Sequence, residues 1–167
     1  KHTRSGYKKD FEFYKFRTMY THMSTGKKYG DEQATTLLNE LLEQKKDSDR
    51  SGPLWKIKDD PRITPLGKFL RKSKLDEIPQ FWNVLIGDMS MIGPRPHMAE
   101  QVEKYRQHYG RVFSIKPGIF GLTQLAQLSA PNLPFEEEIR LDTYYIENWS
   151  LLWDIKIIIK SFYALLF

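Results

Sequence analysis

Proline placement sets the firmest limits on what this chain can fold into. Proline fixes φ, lacks an N–H and is tolerated in a helix only in its first turn. Thr64-Pro65 therefore reads as a helix start, with a capping hydroxyl followed by Pro at the first helical position. Pro79 forces a second helix, predicted over Asp76–Ile86 and stopping at Gly87, to begin close to Asp76 and Glu77. Pro117, Pro131 and Pro134 interrupt the longest uncharged run, Pro117 to Phe135. That run cannot form the roughly 20-residue apolar helix that crosses a bilayer. Residues 112–134 are expected to be mostly irregular.

Hydrophobic spacing supplies the other elements. Phe11, Phe13 and Lys15 alternate with Glu12, Tyr14, Phe16 and Thr18, which predicts a strand carrying aromatics on both faces. Ala34, Leu37, Leu38, Leu41 and Leu42 predict a helix over Asp31–Lys46. A short strand is expected at Leu54–Lys58 and helices at Met98–Arg111 and Phe135–Trp149. Ser150 caps a last helix, whose stripe Leu151, Leu152, Ile155, Ile158, Ile159, Phe162 and Leu166 is expected to face the core. Strands and helices do not alternate as βαβ units. The prediction is an α+β fold, mostly helical with a few short strands. At 167 residues it is expected to form one domain, 1–167, able to bury a core without disulfides.

Composition narrows the chemistry. There is no cysteine, so thiolate metal sites and cysteine nucleophiles are excluded. Twenty-six Lys and Arg against 21 Asp and Glu give a net charge of +5, which favours an anionic partner. The basic residues interleave with acids and no known nucleic-acid motif is present, so DNA and RNA are not expected as partners. A basic nucleic-acid-binding module and a non-catalytic membrane-surface scaffold are the alternatives to an enzyme.

The adjacent acids Asp76-Glu77 are the strongest catalytic candidate. Ser73-Lys74-Leu75-Asp76 also fits a capping box, which would make Asp76 an ordinary helix-start acid. The surroundings argue for more. Arg71 precedes the pair, and Gly93-Pro94-Arg95-Pro96 follows the helix with prolines stiffening the chain around an arginine. Arginine is suited to a forked grip on phosphate. An aspartate is ionised at neutral pH without help from a base, and aspartyl phosphates are an established covalent strategy. A neighbouring Glu can hold Mg²⁺, which prefers oxygen ligands. His97 stands beside the Pro-Arg-Pro motif but has no second ligand at suitable spacing, and is expected to be incidental.

The motifs, taken in order, resemble the bacterial sugar transferases, the monotopic phosphoglycosyl transferases. They are Arg4-Ser5-Gly6, Tyr14-Lys15-Phe16-Arg17-Thr18-Met19, Asp60-Pro61-Arg62-Ile63-Thr64-Pro65-Leu66-Gly67 and Leu75-Asp76-Glu77-Ile78-Pro79-Gln80. Asn83-Val84-Leu85, Gly87-Asp88-Met89-Ser90, Gly93-Pro94-Arg95-Pro96, Lys116-Pro117-Gly118-Ile119 and Asn148-Trp149-Ser150 through Asp154-Ile155-Lys156 follow. The resemblance implies transfer of a phospho-sugar from a nucleotide (UDP) diphospho-sugar to polyprenyl phosphate, releasing UMP and starting glycoconjugate or exopolysaccharide assembly. It implies that Asp76 is the nucleophile, that Glu77 binds Mg²⁺ and that Arg95 holds phosphate. Arg71 and Asp154 match further active-site positions. Lys15 and Arg17 match a family motif that suits structural and phosphate-binding roles equally.

Two departures stand out. Many relatives carry Trp-Ala-Gln and then Gly-Arg-Asn after the Pro-Gly motif. Here Gly121-Leu122-Thr123-Gln124-Leu125 and Ser129-Ala130-Pro131-Asn132 take their place, without the arginine. Family members also carry a re-entrant membrane helix upstream, so the resemblance implies that this chain is the globular catalytic part. The implied location is the cytoplasmic face of the bacterial inner membrane. The basic segment Lys68–Lys74, with Phe81 and Trp82, is then expected to lie at the lipid surface. A homo-oligomer is compatible with the sequence.

Overall fold

A computed structural model describes residues 2–7, 9–25, 32–44, 57, 59–98, 110–130 and 132–166. Strands β1 (His2–Arg4) and β2 (Phe11–Phe13) form an antiparallel hairpin that pairs Thr3 with Glu12. Phe11 and Phe13 are both buried and pack on Met89 and Ile119. The expected strand ends at Phe13, and the chain beyond it bonds to other elements instead. Thr18 and Tyr20 pair with the turn 60–64, through Thr64 N–H to Thr18 O at 3.0 Å and Tyr20 N–H to Arg62 O at 2.9 Å. That turn is held by a buried fork in which Arg62 Nε and Nη2 reach Asp60 at 2.9 and 2.7 Å.

Helix α1 spans Glu32–Gln44 and α2 spans Pro65–Lys72. Thr64 caps α2 as expected, its hydroxyl accepting the Gly67 N–H at 2.9 Å. Gly67 is buried because α2 lies directly on the 14–20 segment. A Cβ at this position would stand 2.0 Å from the Thr18 carbonyl oxygen. Lys74 takes a left-handed conformation, φ 59°, and turns the chain into the 3₁₀ turn Leu75–Glu77. Helix α3 then covers only Gln80–Leu85, closed at Gly87 with φ 83°.

Strands β3 (Ser90–Ile92) and β4 (Gly118–Phe120) pair in parallel, Ser90 opposite Gly118 and Ile92 opposite Phe120. Helices α4 (Leu122–Ser129), α5 (Phe135–Glu147) and α6 (Leu151–Leu166) complete the described structure. The core has three patches. One lies under the hairpin, one gathers Ile92, Tyr145 and Ile157, and one gathers Val112, Phe113, Phe135 and Ile139. The α+β, mostly helical expectation stands.

Three expectations are corrected. Residues 112–134 are not mostly irregular, since they hold β4 and α4. The second helix does not begin at Asp76, because Pro79 separates a 3₁₀ turn from α3. Most of the stripe of α6 does not face the core: Leu151, Leu152, Ile155, Ile159 and Phe162 are exposed, Ile158 packs partly on the core, and among the described residues the buried positions are Ile157 and Ser161. The helix expected at Met98–Arg111 lies almost entirely outside the described residues, as does the strand at Leu54–Lys58. Among the described residues no helix is long and apolar enough to cross a membrane.

Gly67→Ala should lower stability by about 1–3 kcal/mol, because neither the Thr18 backbone nor the capped first turn of α2 can give way. Thermal unfolding checks this, and an unchanged midpoint would show that α2 can lift off the segment.

Candidate active site

Asp76 and Glu77 sit in the 3₁₀ turn between α2 and α3. The capping-box reading fails here. The Ser73 hydroxyl instead donates back to the carbonyls of Phe69 and Leu70, at 2.9 and 3.2 Å, and closes the end of α2. Asp76 has no capping duty that would account for it. It is nonetheless buried, and its backbone carbonyl accepts the Phe16 N–H at 2.9 Å.

The same strand extension carries Lys15 across the pair. Lys15 Nζ lies 2.6 Å from Glu77 Oε1 and 3.8 Å from Asp76 Oδ2. The two carboxyls are thereby driven apart. For Asp76, burial is the largest influence and raises its pKa; Lys15 opposes it, the adjacent Glu77 charge adds to it, and the net shift is upward. For Glu77, burial also acts upward, but the Lys15 charge and hydrogen bond, helped by Lys74 and Arg95, hold it below its ordinary value. Two neighbouring acids separated in this way are suited to different tasks.

Arg95 faces the pair from the loop after β3. Its backbone N–H donates to Asp142 Oδ2 at 3.1 Å, and its Nη1 donates to Gln127 Oε1 at 2.6 Å. Gln127 Nε2 in turn donates to Glu138 Oε1 at 2.7 Å. The Thr123 hydroxyl lies 2.7 Å from Asp142 Oδ1 and 3.0 Å from the Glu138 carbonyl. Thr123, Glu138 and Asp142 are almost wholly buried, so α4 and α5 are joined by a polar seam that aims the arginine.

Two clefts meet at Glu77 and Arg95. One continues toward Lys74, Phe120, Gln127 and Ser161. The other runs under the hairpin, toward Arg4, Lys15, Gln80 and Gln124.

The remaining predicted positions are less central. Arg71 is half-buried, donates from Nε to Thr18 Oγ1 at 2.8 Å, and adds positive charge near Asp76. Arg17 is exposed and lines neither cleft. Asp154 also lines neither. It accepts the Tyr145 hydroxyl at 2.7 Å and Trp149 Nε1 at 3.1 Å, staples α5 to α6, and burial together with its charge raises the Tyr145 hydroxyl pKa. His97 is buried, with Nε2 3.9 Å from Asp142 Oδ2 and its ring edge-on to Phe113. Sequence reasoning missed the seam behind Arg95. Its signal was the i, i+4 spacing of Thr123 with Gln127 and of Glu138 with Asp142, which places each pair on one helix face.

The family model described as "Bacterial sugar transferase" matches residues 1–167. The chain belongs to the bacterial sugar transferase family. It is 42% identical over 152 residues to the galactosyl transferase CpsE of Streptococcus agalactiae, covering 90% of this chain and 30% of that protein. It is 43% identical over 107 residues to the UDP-galactose-lipid carrier transferase of Erwinia amylovora, covering 64% and 22%. It is 46% identical over 107 residues to the UDP-glucose:undecaprenyl-phosphate glucose-1-phosphate transferase of Klebsiella pneumoniae, covering 60% and 23%. The chain thus spans about a third or less of the length of these relatives.

Lys15→Met removes a positive charge that holds both carboxyls down. Both should then titrate at higher pH, and the acid limb of kcat/KM should move upward. A pH–rate profile decides this, and a limb that stays put would uncouple Lys15 from the pair.

Proposed function

We propose that this sugar transferase passes a phospho-sugar from a UDP-sugar to polyprenyl phosphate through a covalent intermediate on Asp76. The observation that carries the reading is the buried carboxylate of Asp76, which lines neither cleft itself, next to the Lys15-paired Glu77, which lines both clefts together with Arg95. The names of the Erwinia and Klebsiella relatives supply the substrate classes.

In the first step an Asp76 carboxylate oxygen bonds to the sugar-linked phosphorus. The phosphorus–oxygen bond to the nucleotide breaks, and UMP leaves with the electron pair. In the second step an oxygen of polyprenyl phosphate bonds to the same phosphorus, the bond to Asp76 breaks and the carboxylate is restored. The product is a polyprenyl diphospho-sugar. Arg95, fixed by Gln127 and Asp142, holds the phosphate oxygens, and Lys15 and Arg71 reduce the repulsion between a carboxylate and a phosphate.

The donor set suits Mg²⁺. Adjacent carboxylates on Asp76 and Glu77 offer oxygen ligands, and among the described residues no cluster of three His, Cys, Asp or Glu could enclose a metal. Mg²⁺ commonly takes one or two carboxylates and completes its shell with water and substrate phosphates. Glu77 is the residue that would hold it, and the ion would neutralise phosphate charge at the point of attack.

A lipid substrate needs a lipid-facing surface. Leu66, Phe69, Trp82 and Leu85 are exposed on α2 and α3, beside Lys68 and Lys72. An apolar face edged with lysines suits an interface with anionic headgroups. On this reading the enzyme works at the cytoplasmic face of the bacterial inner membrane, in glycoconjugate or exopolysaccharide assembly.

Asp76→Asn should reduce UMP release from labelled UDP-sugar, with Mg²⁺ and polyprenyl phosphate, by roughly 10³-fold or more. Arg95→Ala should cost about 10²-fold through a lost charge-assisted contact. Undiminished release by Asp76→Asn would overturn the reading. Separately, Trp82→Ser with Leu85→Ser should weaken sedimentation with anionic liposomes, and unchanged binding would remove α3 from the membrane surface.

A further inference from the structure

Among the described residues, Gln80 is a buried side chain beside the dyad whose chemistry the proposed steps leave unused. It is 2% exposed, and its Nε2 has no hydrogen-bond partner. Folded proteins leave few buried donors unpaired, because each forfeits its bond to water without a replacement. This donor lines the cleft under the hairpin, whose charged lining is Arg4, Lys15, Arg95 and Glu77. That set carries an excess of two positive charges. Arg4 and Lys15 also crowd one ring: Arg4 Cζ lies 5.2 Å and Lys15 Nζ 5.6 Å from the centre of Phe13.

We propose that Arg4, Lys15 and Gln80, with Arg95 shared from the dyad side, form a subsite for a phosphate monoester dianion. The ligand carries nearly two negative charges at neutral pH and three acceptor oxygens. Its charge matches the lining, and one oxygen takes the idle Gln80 N–H. Arg4 and Gln80 thereby gain a binding role. The naming of the ligand rests on the transferase reading, which brings two such monoesters to the dyad, the departing nucleoside monophosphate and the incoming lipid phosphate. They share one chemistry, and the experiment tells them apart.

The test uses the intact protein in detergent and two variants, Gln80→Met and Arg4→Gln. Met keeps the volume and removes the donor. Binding of UMP and of dodecyl phosphate is measured by calorimetric titration, with thermal unfolding and turnover recorded alongside. The expected result is about tenfold or more weaker binding of at least one probe in both variants. The unfolding midpoint of Gln80→Met should hold or rise, since an unpaired buried donor has been removed. Loss confined to UMP assigns the subsite to the nucleotide, and loss confined to dodecyl phosphate assigns it to the lipid. Wild-type affinity for both probes in folded variants overturns the subsite and leaves the transferase reading intact. Weakened UMP binding in the variants, with no turnover even by the unsubstituted protein, upholds the subsite and overturns that reading. A Gln80→Met protein with a lowered midpoint, paired with wild-type binding by Arg4→Gln, overturns the subsite and makes Gln80 a packing residue.

Discussion

The candidate site depends on one buried amide. Asn83 is fully buried on α3, with Nδ2 donating to the Glu12 carbonyl at 2.7 Å and Oδ1 accepting the Tyr14 N–H at 3.1 Å. A backbone leaving a sheet must find other partners for its N–H and C=O groups. Asn83 supplies both, as a neighbouring strand would. It binds the end of the hairpin to α3, and the Asp76 carbonyl extends the stitch to Phe16. Lys15 stands between these two fixed points, so its reach to Asp76 and Glu77 follows from the backbone. A lysine on a free loop would lose backbone entropy as well as side-chain entropy in making the same ion pair.

That placement also orders the electrostatics. A carboxylate pair at adjacent positions repels itself, and burial of Asp76 makes the repulsion stronger. Burial keeps Asp76 high against the nearby Lys15 charge, while the Lys15 charge and hydrogen bond together hold Glu77 low. The division suits the proposed chemistry, in which Glu77 remains a charged ligand and Asp76 forms a bond. Arg95 is governed by a different anchor, the seam joining α4 and α5. The dyad and its arginine are thus held by two separate polar anchors, one from the N-terminal hairpin and one from α4 and α5.

Much of this was legible in the sequence where local chemistry decides the outcome. Thr64-Pro65 marked the start of α2, and Ser150 marked that of α6, where its hydroxyl accepts the Trp153 N–H. Asp76, Glu77 and Arg95 stood out because unlike charges flanked rigid turns. Errors arose where one local pattern serves two structures. Ser73 could cap the helix ahead or close the helix behind, and the left-handed Lys74 decided for the latter. Helix α4 was hidden by its polar composition, since its buried positions include Thr123 and its inner face carries Gln127. Polar residues facing inward make sense only with α5 beside them. The α6 stripe looked like a core face because hydrophobic spacing records amphipathicity and says nothing about what lies opposite.

The exposed apolar residues and the dyad belong to the same short stretch of chain. Leu66 and Phe69 lie on α2, Trp82 and Leu85 on α3, and Asp76 and Glu77 in the turn between them. On the transferase reading this closeness is a requirement. The acceptor's phosphate must reach a buried carboxylate while its chain remains in lipid, and the donor must reach the same carboxylate from water. A nucleophile placed deep in a soluble core would exclude the lipid, and one placed on a flexible loop would lose its fixed distance to Lys15 and Arg95. A rigid turn between two short helices with apolar outer faces satisfies both demands. It also explains why Pro79 and Lys74, which break the chain's helicity on either side, matter as much to the site as the acids they enclose.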